Sequence, residues 1–284
     1  MPIRLAYSPD SDDLFMFYAI LEKKIDTGDF QFTWQTSDTE SLNQGALNSD
    51  VFDVTAISIH NYAYLADRFI LLPHGGSVGV NYGPVLVAKS EFELDQLTDK
   101  RIAVPGLTTT AYLVLKMICK SFREEVVPIQ PFSKVFDEIK QDHVDAGLVI
   151  HEGRLNYESH GLKKIIDIGE WWYKNYQLPL PLGGNVIRRS LGTEVINQVS
   201  EILRQSIRYA LDHKDEAIQY LIENDPRKET FLKDKNVLNT YLDMYANEQT
   251  YDYGEDGRKA VQVLLDEGYN KGIIPHLTQV EFSN

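Results

Sequence analysis

Apolar positions along the first two thirds of the chain switch repeatedly between two periods. Ile3 to Tyr7 reads as a short buried strand, and Asp12 to Lys23 follows as a helix with Phe15, Tyr18, Ala19 and Glu22 at helical spacing. Phe30 to Thr36 alternates as a strand does, Asp38 opens a second helix ending near Asn48-Ser49-Asp50, and Asp53 to Ile57 is again strand-like. Ser58 to Ala66 continues as a helix capped by Ser58, and Gly83 to Lys89 is a strand that leads out of this unit. A second unit repeats the scheme. Arg101 to Pro105, Glu125 to Ile129, Val144 to Ile150 and Lys163 to Ile168 read as strands, with helices over Ala111–Lys120 and Ser133–Gln141 between them. Pro181 to Arg188 has the look of a return path. Beyond Leu191 the pattern is nearly all helical, with amphipathic stretches at 193–223, 227–247 and 254–271.

Strands alternating with helices predict an α/β fold with mostly parallel sheets and ligands at the carboxyl ends of the strands. No low-complexity linker and no fixed-period repeat interrupts the chain. The two extended crossings near 83–90 and 180–188 instead predict a discontinuous first lobe, 1–88 with 184–284, and an inserted second lobe, 89–183. The expected architecture is therefore two lobes around a ligand cleft, with a helical C-terminal region.

Composition adds little to this beyond exclusions. The 284 residues, 43% of them hydrophobic and 25% charged, are ordinary for a globular chain that buries a sizeable core without disulfides or structural metal. The formal charge of −14 argues against nucleic acid or an anionic membrane surface as partner. It also requires any acidic ligand to be held by local donors. Cys119 is the single cysteine, so a disulfide within the chain and a cysteine-rich zinc site are excluded; its apolar surroundings suit a small buried hydrophobe. No apolar run approaches the roughly 18 residues of a membrane span. The opening Met1-Pro-Ile-Arg-Leu-Ala-Tyr-Ser is too short for a signal peptide, so the expected compartment is the cytoplasm. The oligomeric state is not legible.

Three segments could carry chemistry. Ser8-Pro-Asp-Ser-Asp-Asp13 follows the first strand and resembles the Asp-x-Asp turn of magnesium-dependent phosphatases, but Leu14 stands where that turn usually has Thr or Val. Helix capping by Ser11, Asp12 and Asp13 is the plainer reading. Gly106-Leu-Thr-Thr-Thr-Ala111 places hydroxyls and free backbone N–H groups at a helix start, which suits an anion or carboxylate, though an unliganded capped helix fits as well. His151-Glu152 follows the buried strand ending at Ile150. A histidine there can serve as a general base oriented by an acid, here its neighbour Glu152, though a structural histidine is the plainer reading of a lone one. Trp171-Trp172 could wall an apolar pocket or pack in the core. The remaining histidines, and charge runs such as Arg227-Lys-Glu, read as packing groups or solvated faces. With no Rossmann fingerprint, P-loop or Cys/His cluster, no cofactor and no metal is expected.

Taken in order, these segments resemble the 1,4-dihydroxy-6-naphthoate synthase family of the futalosine route to menaquinone. The resemblance runs over essentially the whole chain. It covers Ser8-Pro9…Asp13, Ser58, Gly83-Pro84, Gly106…Thr109-Thr110-Ala111-Tyr112, Ile150-His151-Glu152-x-Arg154, Gly169-x-Trp171-Trp172 and Leu178-Pro-Leu-Pro-Leu-Gly183. It implies a type 2 periplasmic-binding-protein-like fold used as a cytoplasmic lyase. That lyase removes the sugar-derived part of cyclic dehypoxanthinyl futalosine, a small carboxylate. His151 matches the proposed catalytic base, and Asp13, Ser58, Thr109 and Thr110 match polar residues of the substrate cleft. Chorismate dehydratase shares the fold, but His-Glu-x-Arg and Trp-Trp favour the synthase. The family turn reads Ser-Pro-Cys-Pro-Asn-Asp-Thr-Phe, whereas this chain has Asp10-Ser11-Asp12 and Leu14. Extra carboxylates beside an anion raise its binding cost unless they face away or are paired. A divergent paralogue acting on another small carboxylate, and a non-catalytic small-anion solute-binding protein, are the alternative readings.

Overall fold

The computed structural model describes residues 1–49 and 51–284. Among the described residues, eleven strands form two sheets. In the first, β1 (Pro2–Tyr7) lies parallel between β2 (Gln31–Thr36) and β3 (Val54–Ser58). The long β11 (Leu180–Arg188) then runs antiparallel to β3, to β4 (Phe69–Leu71) and to β5 (Ser77–Gly79). The second sheet has the order β10 (Lys163–Asp167), β6 (Val85–Ala88), β9 (Ala146–Val149), β7 (Arg101–Val104), β8 (Arg123–Val126).

Both sheets are mixed, where a mostly parallel arrangement was expected. The crossing strands account for this: β6 pairs antiparallel with β9 and β10, and β11 does so with every neighbour. The same pairing locates the change of sheet. It falls between Gly79 and Val85 and again between Asp167 and Leu180, so residues 85–88 sit in the second sheet and Leu180–Gly183 in the first. The boundaries expected at 88/89 and 183/184 instead fall at the ends of, or inside, these crossing strands. Hydrophobic pattern marks a buried strand but carries no record of which sheet it joins.

Helices cover both sheets. Around the first are α1 (Ser11–Leu21), α2 (Thr39–Asn48) and the single turn α3 (Ile59–Tyr62). The expected end of α2 near Asn48-Ser49-Asp50 is met at Asn48, and Asp50 lies outside the described residues. The second sheet carries α4 (Thr110–Ile118), α5 (Ser133–Lys140) and α6 (Ile168–Tyr176). The tail forms α7 (Thr193–Asp212), α8 (Lys214–Asn224), α9 (Lys235–Tyr245), α10 (Glu248–Tyr251) and α11 (Gly254–Asn270). The stretch expected as one helix over 193–223 is broken at His213, and that expected over 227–247 starts only at Lys235, after an irregular segment. No described helix is long and apolar enough to cross a membrane.

Two large apolar clusters, with a small third one around Leu42, hold these layers. α1, α7, α8 and α9 bury Phe15, Phe17, Leu203, Leu221 and Leu242 under the first sheet. A larger cluster runs through the second sheet to α11 and includes Leu86, Val104, Phe136, Leu148 and Trp172. Trp172 is fully buried, donates its indole N–H to Pro179 O at 3.1 Å, and packs on Tyr176. The tryptophan pair therefore serves the core, and neither ring lines the cavity described next.

Candidate active site

A cavity enclosing about 730 Å³ of atom-free space, counted to its mouth, opens between the two sheets. One wall comes from the carboxyl ends of β1 and β3, where parallel strands direct their following loops to the same side. The other comes from the start of α4 and the turn after β9. Asp13, Ser58, Thr109, Thr110 and His151 all line it, together with Ser8, Asp12, Thr39, Ser77, Tyr241 and Tyr245. Tertiary structure thus gathers the five expected residues, although Asp13 and Ser58 lie beside the first sheet and the other three beside the second.

The hydroxyls are used differently from the sequence expectation. Ser58 sits at the N-cap of α3 without capping it; its Oγ instead accepts from Asn43 Nδ2 at 3.1 Å, which leaves its own hydrogen to donate. Thr109 caps α4: its hydroxyl accepts from Tyr112 N at 3.3 Å and donates to Gly106 O at 2.8 Å. Thr110 donates to Leu182 O at 2.7 Å and accepts from His60 N at 3.1 Å. These two hydroxyls build the wall rather than await a ligand. The donors α4 leaves at the cavity are backbone N–H groups of its first turn, Thr110 and Ala111, which no helical carbonyl reaches. The Gly106–Thr108 part of the expected cradle is filled from within the protein. Glu40 of α2 accepts from Thr108 N at 3.3 Å and Thr108 Oγ1 at 2.8 Å, and a Cβ on Gly106 would stand only 2.2 Å from that carboxylate.

The carboxylates of the first turn are arranged in two groups. Asp12 and Asp13 face the cavity. Asp13 accepts from Ser8 N at 2.7 Å, while Asp12 accepts from Ser77 and, at 3.3 Å, from Tyr241. Burial pushes Asp12 up to about 6 against the opposing pull of His151, with Asp10 adding to the rise. Burial, with Asp12 beside it, holds Asp13 well above the ordinary carboxylate range. Burial thus favours the neutral form of both acids more than it would at an exposed aspartate. Asp10 instead lies behind the cavity and joins a buried ion cluster. Arg227 donates to Asp10 at 3.0 Å, to Glu152 at 2.9 and 2.8 Å, to Asp225 at 2.7 Å and to Ser11 Oγ at 3.0 Å. Burial alone would raise Glu152, yet the Arg227 guanidinium holds it down at about 2.

Two expectations are corrected by this cluster. Arg227, read as part of a solvated charge run, has a side chain only 2% exposed, and Glu152 faces Arg227 and not His151. The acid that meets the imidazole is Asp10, 3.2 Å from Nε2. Thr39 Oγ1 is 3.1 Å from the same nitrogen, and the Tyr241 hydroxyl is 3.5 Å from Nδ1. His151 itself has φ +52°, a left-handed conformation uncommon outside glycine that costs of order 1–3 kcal/mol and persists where surrounding contacts impose it. No signal in the sequence marked Arg227, Thr39 or Tyr241, because each comes from an element that meets the site only through packing. Among the described residues, no group of three His, Cys, Asp or Glu is placed to hold a metal ion.

Two α/β units facing one cleft lined by acids, hydroxyls and a single histidine define a cleft protein of the type 2 periplasmic-binding-protein fold. In keeping with this, the alkanesulfonate-binding protein of Xanthomonas axonopodis bound to MOPS superposes with a TM-score of 0.70, covering 98% of this chain and 96% of that one at 16% identity. That likeness concerns the fold alone. A sequence profile of the menaquinone-biosynthesis family matches residues 3–270. The 1,4-dihydroxy-6-naphthoate synthase of Thermus thermophilus is 35% identical over 272 residues, 95% of each chain. That of Streptomyces coelicolor is 33% identical over 282 residues, 97% of this chain and 95% of its own. A crystal structure of an Archaeoglobus fulgidus protein, 41% identical, superposes with a TM-score of 0.86 over 96% of this chain and 98% of that one. The chain belongs to the 1,4-dihydroxy-6-naphthoate synthase family of menaquinone biosynthesis, a family of enzymes.

Proposed function

We propose that this protein converts cyclic dehypoxanthinyl futalosine to 1,4-dihydroxy-6-naphthoate in the cleft between two lobes, with His151 as the general base. The observation that carries the reading is the convergence of one histidine and a set of anion-compatible donors on one cavity. A base must reach an acidic C–H or O–H of the substrate, and donors fixed in place must meet the charge that develops. The Ser58 hydroxyl and the N–H groups of Thr110 and Ala111 hold the carboxylate. The raised pKa values of Asp12 and Asp13 reduce the repulsion that fully ionised acids would impose on it. The first-turn acids that set this chain apart are thus one protonatable group in the cavity, Asp12, and one paired group behind it, Asp10.

Incubating the purified protein with cyclic dehypoxanthinyl futalosine tests the reading directly. Appearance of the naphthoate chromophore supports it; a folded protein that leaves the compound intact rejects it. Binding is tested separately in calorimetry. Ser58→Ala removes a buried donor and is expected to weaken binding by about 1–3 kcal/mol, roughly 5- to 150-fold. Thr109→Ala acts otherwise: loss of the cap lowers stability by about 1 kcal/mol, with a smaller effect on affinity. Unchanged affinity in Ser58→Ala would place the carboxylate elsewhere.

A further inference from the structure

Behind the His151 ring lies a buried acid that does not reach the cavity. The Asp10 side chain is 2% exposed, stands outside the cavity lining, and puts Oδ2 3.2 Å from His151 Nε2. Its Oδ1 accepts from Arg227 at 3.0 Å, and Arg227 is clamped in turn by Glu152 and Asp225. Asp10 is thereby fixed in position. On the other side of the ring, Nδ1 faces the hydroxyl of Tyr241, which lines the cavity, at 3.5 Å.

A neutral imidazole has one N–H and one bare nitrogen, and the partner of each decides which is which. A carboxylate is a stronger acceptor than a hydroxyl because its hydrogen bond is charge-assisted. Thr39 Oγ1, 3.1 Å from Nε2, lies on the same side; its neutral hydroxyl can accept from an Nε2–H or donate to a bare Nε2, so the charged Asp10 decides between them. A bare Nε2 would instead direct its lone pair at the Asp10 oxygen. We propose that Asp10 is a positioning residue that keeps the His151 proton on Nε2 and so makes Nδ1 the atom that accepts the substrate's proton.

The proposal rests on the reading of His151 as the base. In the step, the substrate's C–H or O–H bond breaks, its electron pair stays on the substrate, and the proton passes to Nδ1. The imidazolium keeps the Nε2–H donated to Asp10. The new Nδ1–H has the Tyr241 oxygen as its nearest acceptor, and Tyr241 donates its own hydrogen to Asp12 Oδ1 at 3.3 Å.

NMR of the full chain labelled with ¹⁵N-histidine, at alkaline pH where imidazoles are neutral, reads both ring nitrogens of His151. The expected result is a protonated Nε2 and a bare Nδ1 in the unaltered protein. Asp10→Asn, whose amide can offer an N–H to Nε2, is expected to abolish that preference. In turnover of cyclic dehypoxanthinyl futalosine, Asp10→Asn should lower kcat by about 10²- to 10⁴-fold through the wrong tautomer. KM should stay within about threefold, because Asp10 does not touch the cavity. A ring protonated on Nδ1 in the unaltered protein overturns the proposal. So does a folded Asp10→Asn variant with the original tautomer or the original kcat. The first spectrum needs no substitution, so it decides the question even where Asp10→Asn fails to fold. No turnover by the unaltered protein, with Nε2–H in place, rejects the substrate assignment and leaves the positioning role supported.

Discussion

Replacing His151 by Asn is expected to lower kcat by about 10²- to 10⁴-fold, the usual contribution of a general base. Asn is the informative choice because the backbone at this position is left-handed, φ +52°, and Asn tolerates that conformation better than most side chains. The variant should therefore keep its fold, and the loss can be assigned to proton transfer. KM should change far less, because the Ser58 hydroxyl and the α4 N–H groups remain and the base acts mainly in the transition state. Steady-state kinetics on cyclic dehypoxanthinyl futalosine provide the measurement. A folded variant with normal kcat would remove His151 from the chemistry and favour a protein that only binds its ligand.

Arg227→Met is expected to have the largest effect on stability. It leaves Asp10, Glu152 and Asp225 buried without their shared cation, and breaking a buried ion pair from one side typically costs about 3–5 kcal/mol. For a chain of this size that corresponds to roughly 10 °C in Tm. Adding Glu152→Gln should recover part of the loss, because it removes one of the stranded charges. Denaturant unfolding of the single and double variants measures both effects; a loss below about 1 kcal/mol would mean that water reaches the cluster and screens it.

Glu152 of this cluster and Asp12 of the cavity shape the dependence of stability on pH. Glu152, lowered from 4.5 to about 2, contributes stability that is complete above its ordinary value and is lost as pH falls through the folded one. Asp12, raised from 3.8 to about 6, acts in the opposite direction: its contribution is present below 3.8 and is lost as pH rises through 6. The two windows overlap at about pH 4, where their combined contribution is greatest. In Arg227→Met the acid limb should move to higher pH, since the cation holding Glu152 down is gone.

How far the site was legible follows from how far apart its members lie along the chain. Asp13 ends the first strand's turn, Ser58 follows β3, Thr109 and Thr110 open α4, and His151 follows β9. Each stands just beyond an apolar run, at the end of a strand or the start of a helix, and these positions are recorded in local periodicity. The family resemblance joined them into one cleft, and packing places all five on one cavity. Local pattern could not say what each hydroxyl touches. Thr109 and Thr110 read as ligand donors, yet their hydroxyls close the protein's own backbone bonds. The acid beside the imidazole differs for a related reason: Glu152 is next to His151 in the chain, but its carboxylate is taken up by Arg227 and Ser11.

The order of strands and helices, the α/β class, the helical tail and the strand-end positions of the candidate residues follow from the amino-acid sequence, because period, capping residues and turn residues act over a few neighbouring positions. The mixed sheets, the points where the chain changes sheet, and the ion cluster behind His151 were decided by tertiary structure. Ser11 meets Glu152 across 141 positions of the chain, and Arg227 meets Asp10 across 217. A lone arginine in a polar stretch looks solvated in one dimension. Burial of three carboxylates around it, which only the packed chain brings about, makes it part of the interior.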